Sequence, residues 1–260
     1  MSLVARNIKV SRSGTNILHG IHFKAEPGQL IGLLGPSGAG KSTLLYALSG
    51  FRPANEGSVH FNGSSITEAF EEVKDQIGFV PQDDVVPMSL KVERVLRYAA
   101  DLRLPDVEPE ERGTRVDRIL YKLGLKDRKA LRVSKLSGGQ RKRVSVGVEL
   151  LTEPQLLFAD EPTSGLDPAL ERSLMEMFRQ LADDERIVIM TTHIMTSIDM
   201  FDHLCVLHEG HLAYFGPPEE MKGYFGVQDY IDIYATLSKK PAAEHQRDYL
   251  SSVLKGKYLM

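Results

Sequence analysis

The feature that most constrains this chain is a glycine-rich segment between an apolar run and a helical stretch. Residues 35–42 read GPSGAGKS, which fits the pattern G-x-x-x-x-G-K-[ST]. Glycine lets backbone N–H groups turn towards phosphate oxygens, and the start of the following helix contributes about half a positive charge. The segment therefore predicts a buried strand, a phosphate-binding loop and a helix in succession.

Two side chains of this loop have chemistry suited to a nucleotide. Lys41 can reach the β and γ phosphates, and the Ser42 hydroxyl can ligate Mg²⁺. The alternative is a coincidental glycine turn, but average residue usage gives such a match in only about one chain in a hundred of this length. The residues of this loop predicted to bind nucleotide are Gly35, Pro36, Ser37, Gly38, Ala39, Gly40, Lys41, Ser42 and Thr43.

A pair of carboxylates, Asp160 and Glu161, follows the apolar run at residues 156–159. Buried charges at such a place require partners, and a Mg²⁺ ion held by Asp160 through water would supply one. Glu161 could then polarise the attacking water as a general base, a role typically worth about 10²–10⁴ in rate. A simple charge pair at a strand end is the better explanation of the pair alone. Beside a phosphate loop, the metal and base roles are favoured.

Hydrophobic patterning predicts two kinds of strand. Residues 3–10 and 17–24 alternate between apolar and polar side chains around a turn at Ser13-Gly14, and residues 59–61 precede a second turn. Such alternation indicates an antiparallel sheet with one solvated face. Four continuous apolar runs suit parallel strands buried on both faces, and they lie at 30–34, 77–80, 156–159 and 187–190.

The pattern becomes helical between about residues 89 and 150. Apolar residues recur at helical spacing after Ser89, a candidate N-cap, and again before Gly124, a candidate stop. Another helix is predicted behind Asp167 as its cap, with Pro168 at its first position. We predict an α/β fold with a P-loop NTPase core of mostly parallel sheet, an antiparallel β subdomain and an all-helical subdomain inserted at about 84–150.

The segment Leu136-Ser137-Gly138-Gly139-Gln140 precedes a helix predicted over residues 141–151. Alone it would be a flexible turn, but between a phosphate loop and an acidic strand end it resembles the signature loop of ABC ATPases. Three further matches follow that family's order along the chain. They are Gln82 of the Q-loop, residues 164–167 of the D-loop and His193, the switch histidine.

The resemblance covers roughly residues 3–220 and implies an ABC ATPase that binds ATP and Mg²⁺. It implies a head-to-tail dimer in which each ATP lies between the phosphate loop of one subunit and the signature of the other. The predicted domains are the ATPase at 1–225, with the signature subdomain inserted, and a helical tail or connector at 226–260. The predicted roles are catalysis for Lys41, Gln82, Glu161 and His193, nucleotide binding for Ser137, Gly138, Gly139 and Gln140, and Mg²⁺ binding for Ser42, Gln82 and Asp160.

Residues 141–150 and 160–167 look like the G subfamily, the eye-pigment and sterol-exporter type. In that group the ATPase domain precedes the membrane domain on one chain, which implies a truncated domain, an exporter and a place on the cytoplasmic face of a membrane. The implied partners are a transmembrane domain, on the same or a separate chain, and a second ATPase domain in a homodimer or heterodimer. Ile194-Met195 after His193 and Pro168 after Asp167 depart from the group's pattern, so no transported substrate is predicted.

Composition narrows the function classes. The chain has no run of 18 apolar residues, so no membrane span is expected, and its N-terminal residues lack the basic-then-apolar pattern of a secretory signal. The lone Cys205 excludes internal disulfides and suits a reducing cytoplasm, and a net charge of -3 argues against nucleic acid. The alternative is a soluble ABC ATPase acting on nucleic acid or the ribosome. A regulatory module without turnover conflicts with Glu161 and His193.

Three regions leave alternatives open. Residues 10–14 contain no aromatic platform for adenine, and Arg12 could stack on the base, although an ordinary exposed arginine is favoured. The basic trio at 141–143 is expected to be a solvated helix face or a support for phosphates. In the tail, two apolar faces predict either helices folded back on the domain or a connector to membrane helices. The first face comprises Tyr230, Ile233, Tyr234 and Leu237, and the second comprises Tyr249, Leu250, Val253 and Leu254.

Overall fold

The computed structural model describes residues 1–193 and 196–259 of the chain. These residues form two β-sheets with helices, and an all-helical segment lies between two strands of the larger sheet. The predicted α/β architecture is therefore confirmed. Ile194 and Met195, at which the sequence departs from the G-subfamily pattern, lie outside the described residues.

The larger sheet contains the four predicted apolar runs as parallel strands. In the order β10-β9-β3-β8-β7-β6, its strands pair in parallel except for β9 with β10, which are antiparallel. β9 and β10 were not predicted, although residues 204–207 and 212–215 are also continuous apolar runs. The strands are β3 (Leu30–Leu34), β6 (Ile77–Val80), β7 (Leu156–Ala159), β8 (Ile187–Thr191), β9 (His203–His208) and β10 (His211–Gly216).

The smaller sheet is antiparallel, as its alternating sequence predicted. Its strands follow the order β2-β1-β4-β5. Leu3, Ile8, Ile21 and Phe23 are buried on one face, so this sheet contributes directly to the core. The strands are β1 (Leu3–Arg12), β2 (Thr15–Ala25), β4 (Glu56–Phe61) and β5 (Ser64–Ser65).

The helical segment between β6 and β7 contains α3 (Val92–Arg103), α4 (Pro109–Lys122) and α5 (Gly138–Leu150). Two short 3-10 helices, Lys126–Arg128 and Val133–Lys135, lie between α4 and α5. The predicted cap at Ser89 is wrong, because α3 begins after Lys91 without a side-chain cap. The chain before α3 is instead tied to a later segment, since the N–H groups of residues 133 and 134 donate to the carbonyls of residues 90 and 88.

Two other helix starts depend on local capping. α5 begins at Gly138, three residues earlier than predicted, because Ser137 and Gln140 form a capping box. The remaining helices include α6 (Pro168–Asp183), which begins where predicted because the Asp167 carboxylate accepts from two backbone N–H groups. α1 (Lys41–Leu48) follows the phosphate loop. Two further helices are α2 (Phe70–Val73), between β5 and β6, and α7 (Pro218–Phe225), which follows β10.

The C-terminal tail contains α8 (Asp232–Leu237), α9 (Ala242–Ser251) and α10 (Val253–Tyr258), and α9 and α10 pack on β10 of the larger sheet. Tyr249 is fully buried and its hydroxyl donates to the Phe215 carbonyl oxygen of β10 at 2.7 Å. Val253 is 88% exposed, because the extended backbone of Ser252 separates α9 from α10. The second predicted apolar face is therefore not continuous. No helix in residues 1–193 or 196–259 is long and apolar enough to cross a membrane.

Candidate functional site

The phosphate loop connects β3 to α1, as its sequence predicted. Gly35 has φ +149°, and a Cβ there would lie 2.2 Å from the Leu207 carbonyl oxygen, so only glycine fits beside β9. The Lys41 ammonium donates to the carbonyl oxygens of Gly35 and Pro36 at 2.9 and 3.0 Å. Burial lowers the pKa of Lys41, and the nearby Glu161 carboxylate opposes that shift. Carbonyl oxygens of the loop therefore bind the ammonium group of the loop's own Lys41.

A short hydrogen-bonded chain joins the loop to the acidic strand end. The Ser42 hydroxyl donates to Asp160 Oδ1 at 2.9 Å, and the Thr191 hydroxyl donates to the same oxygen at 2.6 Å. Thr191 Oγ1 also accepts from the Glu161 N–H at 2.7 Å. Sequence reasoning missed Thr191 as a site residue, although a hydroxyl that ends an apolar run was a signal for it.

Three residues predicted from separate motifs meet at the Glu161 carboxylate. Gln82 Nε2 donates to Glu161 Oε2 at 3.3 Å, and His193 Nδ1 lies 3.8 Å from the same oxygen. Glu161 follows β7, Gln82 follows β6 and His193 follows β8, so the carboxyl ends of parallel strands bring them together. The His193 side chain is 53% exposed and can therefore reach a ligand.

The phosphate loop, Glu161 and His193 line a cleft of about 780 Å³, whereas Ala39, Gln82 and Asp160 are not among its described lining residues. The signature residues 137–140 are not among the described residues that line this cleft; they open α5 elsewhere on the chain. Sequence reasoning missed three lining residues, Ile17, Tyr234 and Ser238. The predicted lining residues are Gly35, Pro36, Ser37, Gly38, Gly40, Lys41, Ser42, Thr43, Glu161 and His193.

The donor set beside the loop fits Mg²⁺. A hydroxyl and a carboxylate, those of Ser42 and Asp160, lie within 2.9 Å of each other, and Mg²⁺ prefers such oxygen ligands. Within the described part of the chain, no group of three or more His, Cys, Asp or Glu residues could hold a metal ion. Mg²⁺ at this position would thus need oxygens from nucleotide phosphates and water, which is how the ion is usually bound.

The basic trio is not a solvated face, so the first of the two alternatives for it is wrong. Lys142 is only 6% exposed, and its ammonium donates to the carbonyl oxygen of Gln82 at 2.7 Å. Arg141 and Lys142 both pair with Asp84, at 3.2 and 3.4 Å. Arg143 donates to carbonyl oxygens of the neighbouring helices α4 and α6 through Leu123 and Ser173. The start of α5 is therefore bonded directly to the segment that carries Gln82.

Arg12 lies in a second cavity of about 360 Å³ next to the cleft. Thr43 lines both cavities, so the second one adjoins the phosphate loop. None of the described residues that line it is aromatic. The Arg12 side chain is exposed, and the structure provides no aromatic platform at this place.

Known proteins resemble this chain in sequence and fold. The family profile described as ABC transporter matches residues 18–164. ABC transporter ATP-binding/permease protein Rv1747 of Mycobacterium tuberculosis is 46% identical over 89% of this chain and 27% of its own length. ABC transporter G family member 26 of Arabidopsis thaliana is 40% identical over 87% of this chain and 34% of its own length. The chain thus spans about a third or less of these curated relatives.

The fold agrees with these sequence matches. A solved structure described as the ATP binding subunit of an ABC transporter has a TM-score of 0.78 and 25% identity, and the match covers 92% of this chain and 100% of that one. The predicted family and the predicted enzyme class, an ATPase, are confirmed. This chain belongs to the ABC transporter family as an ATP-binding domain, and its relatives include members of the G family.

Proposed function

We propose that this ATPase domain works as one half of a head-to-tail dimer that closes around two ATP molecules with Mg²⁺ and drives export through a membrane domain. The observation that carries the proposal is the composition of the cleft. It contains the phosphate loop, Glu161 and His193, but none of the signature residues 137–140. A second copy, turned head to tail, would bring its signature to this cleft.

The start of α5 is suited to that contact. The Ser137 side chain accepts from the Gln140 N–H at 3.3 Å, and Gln140 Oε1 accepts from the Ser137 N–H at 3.1 Å. A capped N-terminus of a 13-residue helix presents backbone N–H groups and a positive dipole end, both of which favour a phosphate. The signature would therefore act as a second anion site on a phosphate already held by the partner's loop.

Within one cleft, each predicted residue has a distinct task. Lys41 would release its bonds to Gly35 and Pro36 and bind the β and γ phosphates. Glu161 would take a proton from the attacking water, while His193 would contact the γ-phosphate. Mg²⁺, when bound by Ser42, Gln82 and Asp160, would neutralise the charge of the phosphates. Gln82 would couple the binding of Mg²⁺ and ATP to the helical segment, because Lys142 of α5 donates to its carbonyl oxygen.

The helical segment also provides a surface for a membrane partner. An apolar groove of about 210 Å³ begins at the segment that follows Gln82. Large apolar side chains stand open to solvent along it, since Val85 is 70%, Tyr98 50% and Leu102 82% exposed. Exposed apolar patches of this kind mark protein interfaces. We propose that a cytoplasmic loop of the membrane domain docks here, which places this chain on the cytoplasmic face of a membrane.

Cysteine cross-linking in the complete transporter tests this docking. Cys205 is the single native cysteine and is buried, so a cysteine introduced in the groove is the reactive thiol. Val85→Cys should cross-link to a cytoplasmic loop of the membrane domain. Tyr121→Cys is the matched control, because Tyr121 is similarly exposed, at 75%, and does not line the groove. Cross-links from Val85→Cys to nucleic acid or ribosome alone would contradict a transporter.

A further inference from the structure

The C-terminal tail contributes a side chain to the nucleotide cleft. Ile233 and Leu237 anchor the short helix α8 in the core, at 2% and 0% exposure. Tyr234 lies between them in sequence and lines the cleft together with Gly35, Lys41 and His193. A segment outside the region matched by the family profile therefore forms part of the wall around the phosphate loop.

The Tyr234 hydroxyl is buried, yet it makes no hydrogen bond with any residue that the structure describes. The Gly35 N–H faces this oxygen without completing a hydrogen bond. Burial raises the pKa of Tyr234, so the phenol stays protonated and can donate. Buried polar groups are nearly always paired, and an unpaired one requires an explanation.

Other tyrosines of the tail are paired, which sets Tyr234 apart from them. The Tyr249 hydroxyl donates to the Phe215 carbonyl oxygen at 2.7 Å, and the Tyr258 hydroxyl donates to Glu220 at 2.8 Å. Tyr230, one turn before Tyr234, reaches the Pro218 carbonyl oxygen at 3.3 Å. Packing of the tail thus pairs these hydroxyls internally, whereas Tyr234 lines the cleft and its buried hydroxyl stays unpaired.

The position of Tyr234 selects one part of the nucleotide. Lys41, the residue that reaches the β and γ phosphates, holds its ammonium at the carbonyl oxygens of Gly35 and Pro36. Tyr234 faces the N–H of the same Gly35, so the two donors lie at the same end of the loop. We propose that the Tyr234 hydroxyl is a further ligand of ATP and donates a hydrogen bond to its terminal phosphate.

This inference rests on the proposed function and adds to it. A hydroxyl on α8 that binds the terminal phosphate loses its partner when that phosphate leaves. The tail would therefore respond to hydrolysis directly, independently of Gln82 and the helical segment. The response would pass to α9 and α10, which follow α8 on the chain and pack on β10.

Tyr234→Phe tests the inference, because it removes the hydroxyl and keeps the ring. Equilibrium binding of ADP and of the non-hydrolysable imido analogue of ATP should be measured on purified protein. We expect the variant to bind the ATP analogue about tenfold or more weakly, since a hydrogen bond to a charged group is lost. Its affinity for ADP should stay within about twofold of the wild type, since ADP lacks the terminal phosphate.

Tyr230→Phe is the matched control, because Tyr230 belongs to the same tail but bonds outside the cleft. It should bind both nucleotides as the wild type does. Without nucleotide, Tyr234→Phe should not lower the unfolding temperature, because its hydroxyl has no partner to lose; a fall of several degrees would overturn the inference. Unchanged affinity for the ATP analogue, or an equal loss for ADP, would also overturn it. Failure of the wild type to bind either nucleotide would instead refute the proposed function.

Discussion

At the scale of single residues, Glu161 occupies a backbone conformation that residues other than glycine rarely adopt. Its φ is +41°, and such strain costs about 1–3 kcal/mol and persists where surrounding bonds enforce it. The N–H of Glu161 is held by Thr191 Oγ1 at 2.7 Å, and its carboxylate is reached by Gln82 at 3.3 Å. The strained backbone thus places the carboxylate at the carboxyl ends of the three parallel strands β6, β7 and β8.

Glu161→Gln should slow turnover severely and keep affinity for ATP, because the amide preserves the shape of the side chain but cannot accept a proton as a base. We expect a fall in kcat of about 10²–10⁴, the range of general base catalysis. Gel filtration with ATP should then detect a dimer that the wild type forms only transiently. Phosphate release at close to the wild-type rate would remove Glu161 from its assigned role.

Thr191→Val should also slow turnover, although Thr191 is buried and lies outside the predicted motifs. The substitution deprives the Asp160 carboxylate of a donor and the Glu161 N–H of its acceptor. Each buried group left unpaired costs about 1–3 kcal/mol, so we expect a loss of unfolding free energy and about a tenfold lower kcat. Thr191→Ser keeps the oxygen and should recover most of both. Equal kcat values for the two variants would contradict a positioning role.

At the scale of secondary structure elements, α9 joins three parts of the molecule. Gln246 Nε2 donates to the His19 carbonyl oxygen of β2 at 3.0 Å, and Gln246 Oε1 lies 2.7 Å from the His211 ring of β10. The His19 and His211 rings are stacked, with centroids 4.1 Å apart. His245, one residue before Gln246, is buried and contacts the Leu237 carbonyl oxygen of α8 at 3.0 Å. Histidines are therefore concentrated where the tail meets the sheets.

Stability should fall on acidification, because burial is the main cause that lowers the pKa of His19, His203 and His245. Below pH 6.5, the ordinary pKa of histidine, the unfolded chain binds protons that the folded chain does not. The free energy of unfolding therefore rises with pH up to about 6.5 and is level above it. We expect a lower unfolding temperature at about pH 5.5 than at about pH 7.5. His245→Gln, whose amide can still donate to the Leu237 carbonyl oxygen, should reduce this difference in unfolding temperature. An equal difference in the variant and the wild type would contradict the prediction.

At the scale of the whole molecule, the proposed dimer requires each chain to supply halves of two different nucleotide sites. The phosphate loop lines the cleft, and the signature opens α5 outside it. Lys41→Ala removes the loop cation, and Gly138→Asp puts a carboxylate where the signature should meet the γ-phosphate. Either homodimer should be inactive. A mixture should recover ATPase activity, because one site of a mixed dimer combines an intact loop with an intact signature.

The readout of this mixture should include trapped nucleotide as well as released phosphate, since turnover could require two intact sites. One ATP retained per mixed dimer would support the head-to-tail arrangement. If each chain built its own complete site, every site in the mixture would still contain one lesion. Absence of both activity and trapped ATP in the mixture would count against the shared site.

What the sequence by itself determined is the part of the molecule that depends on local backbone geometry. The glycine pattern at 35–42, the Asp167-Pro168 helix start and the four apolar runs each act within a few residues, so they predict elements without knowledge of their neighbours. Gln82, Glu161 and His193 were each predicted from a separate motif, and the Gln82 and His193 side chains do lie at the Glu161 carboxylate.

Only the tertiary structure decided which side chains complete the site. Thr191 pairs with Asp160 across neighbouring strands, and Lys142 donates to the carbonyl oxygen of Gln82 from another element. Tyr234 reaches the phosphate loop because Ile233 and Leu237 anchor α8 in the core. Each contact joins residues far apart in sequence, and burial of the apolar neighbours, not local propensity, brings them together.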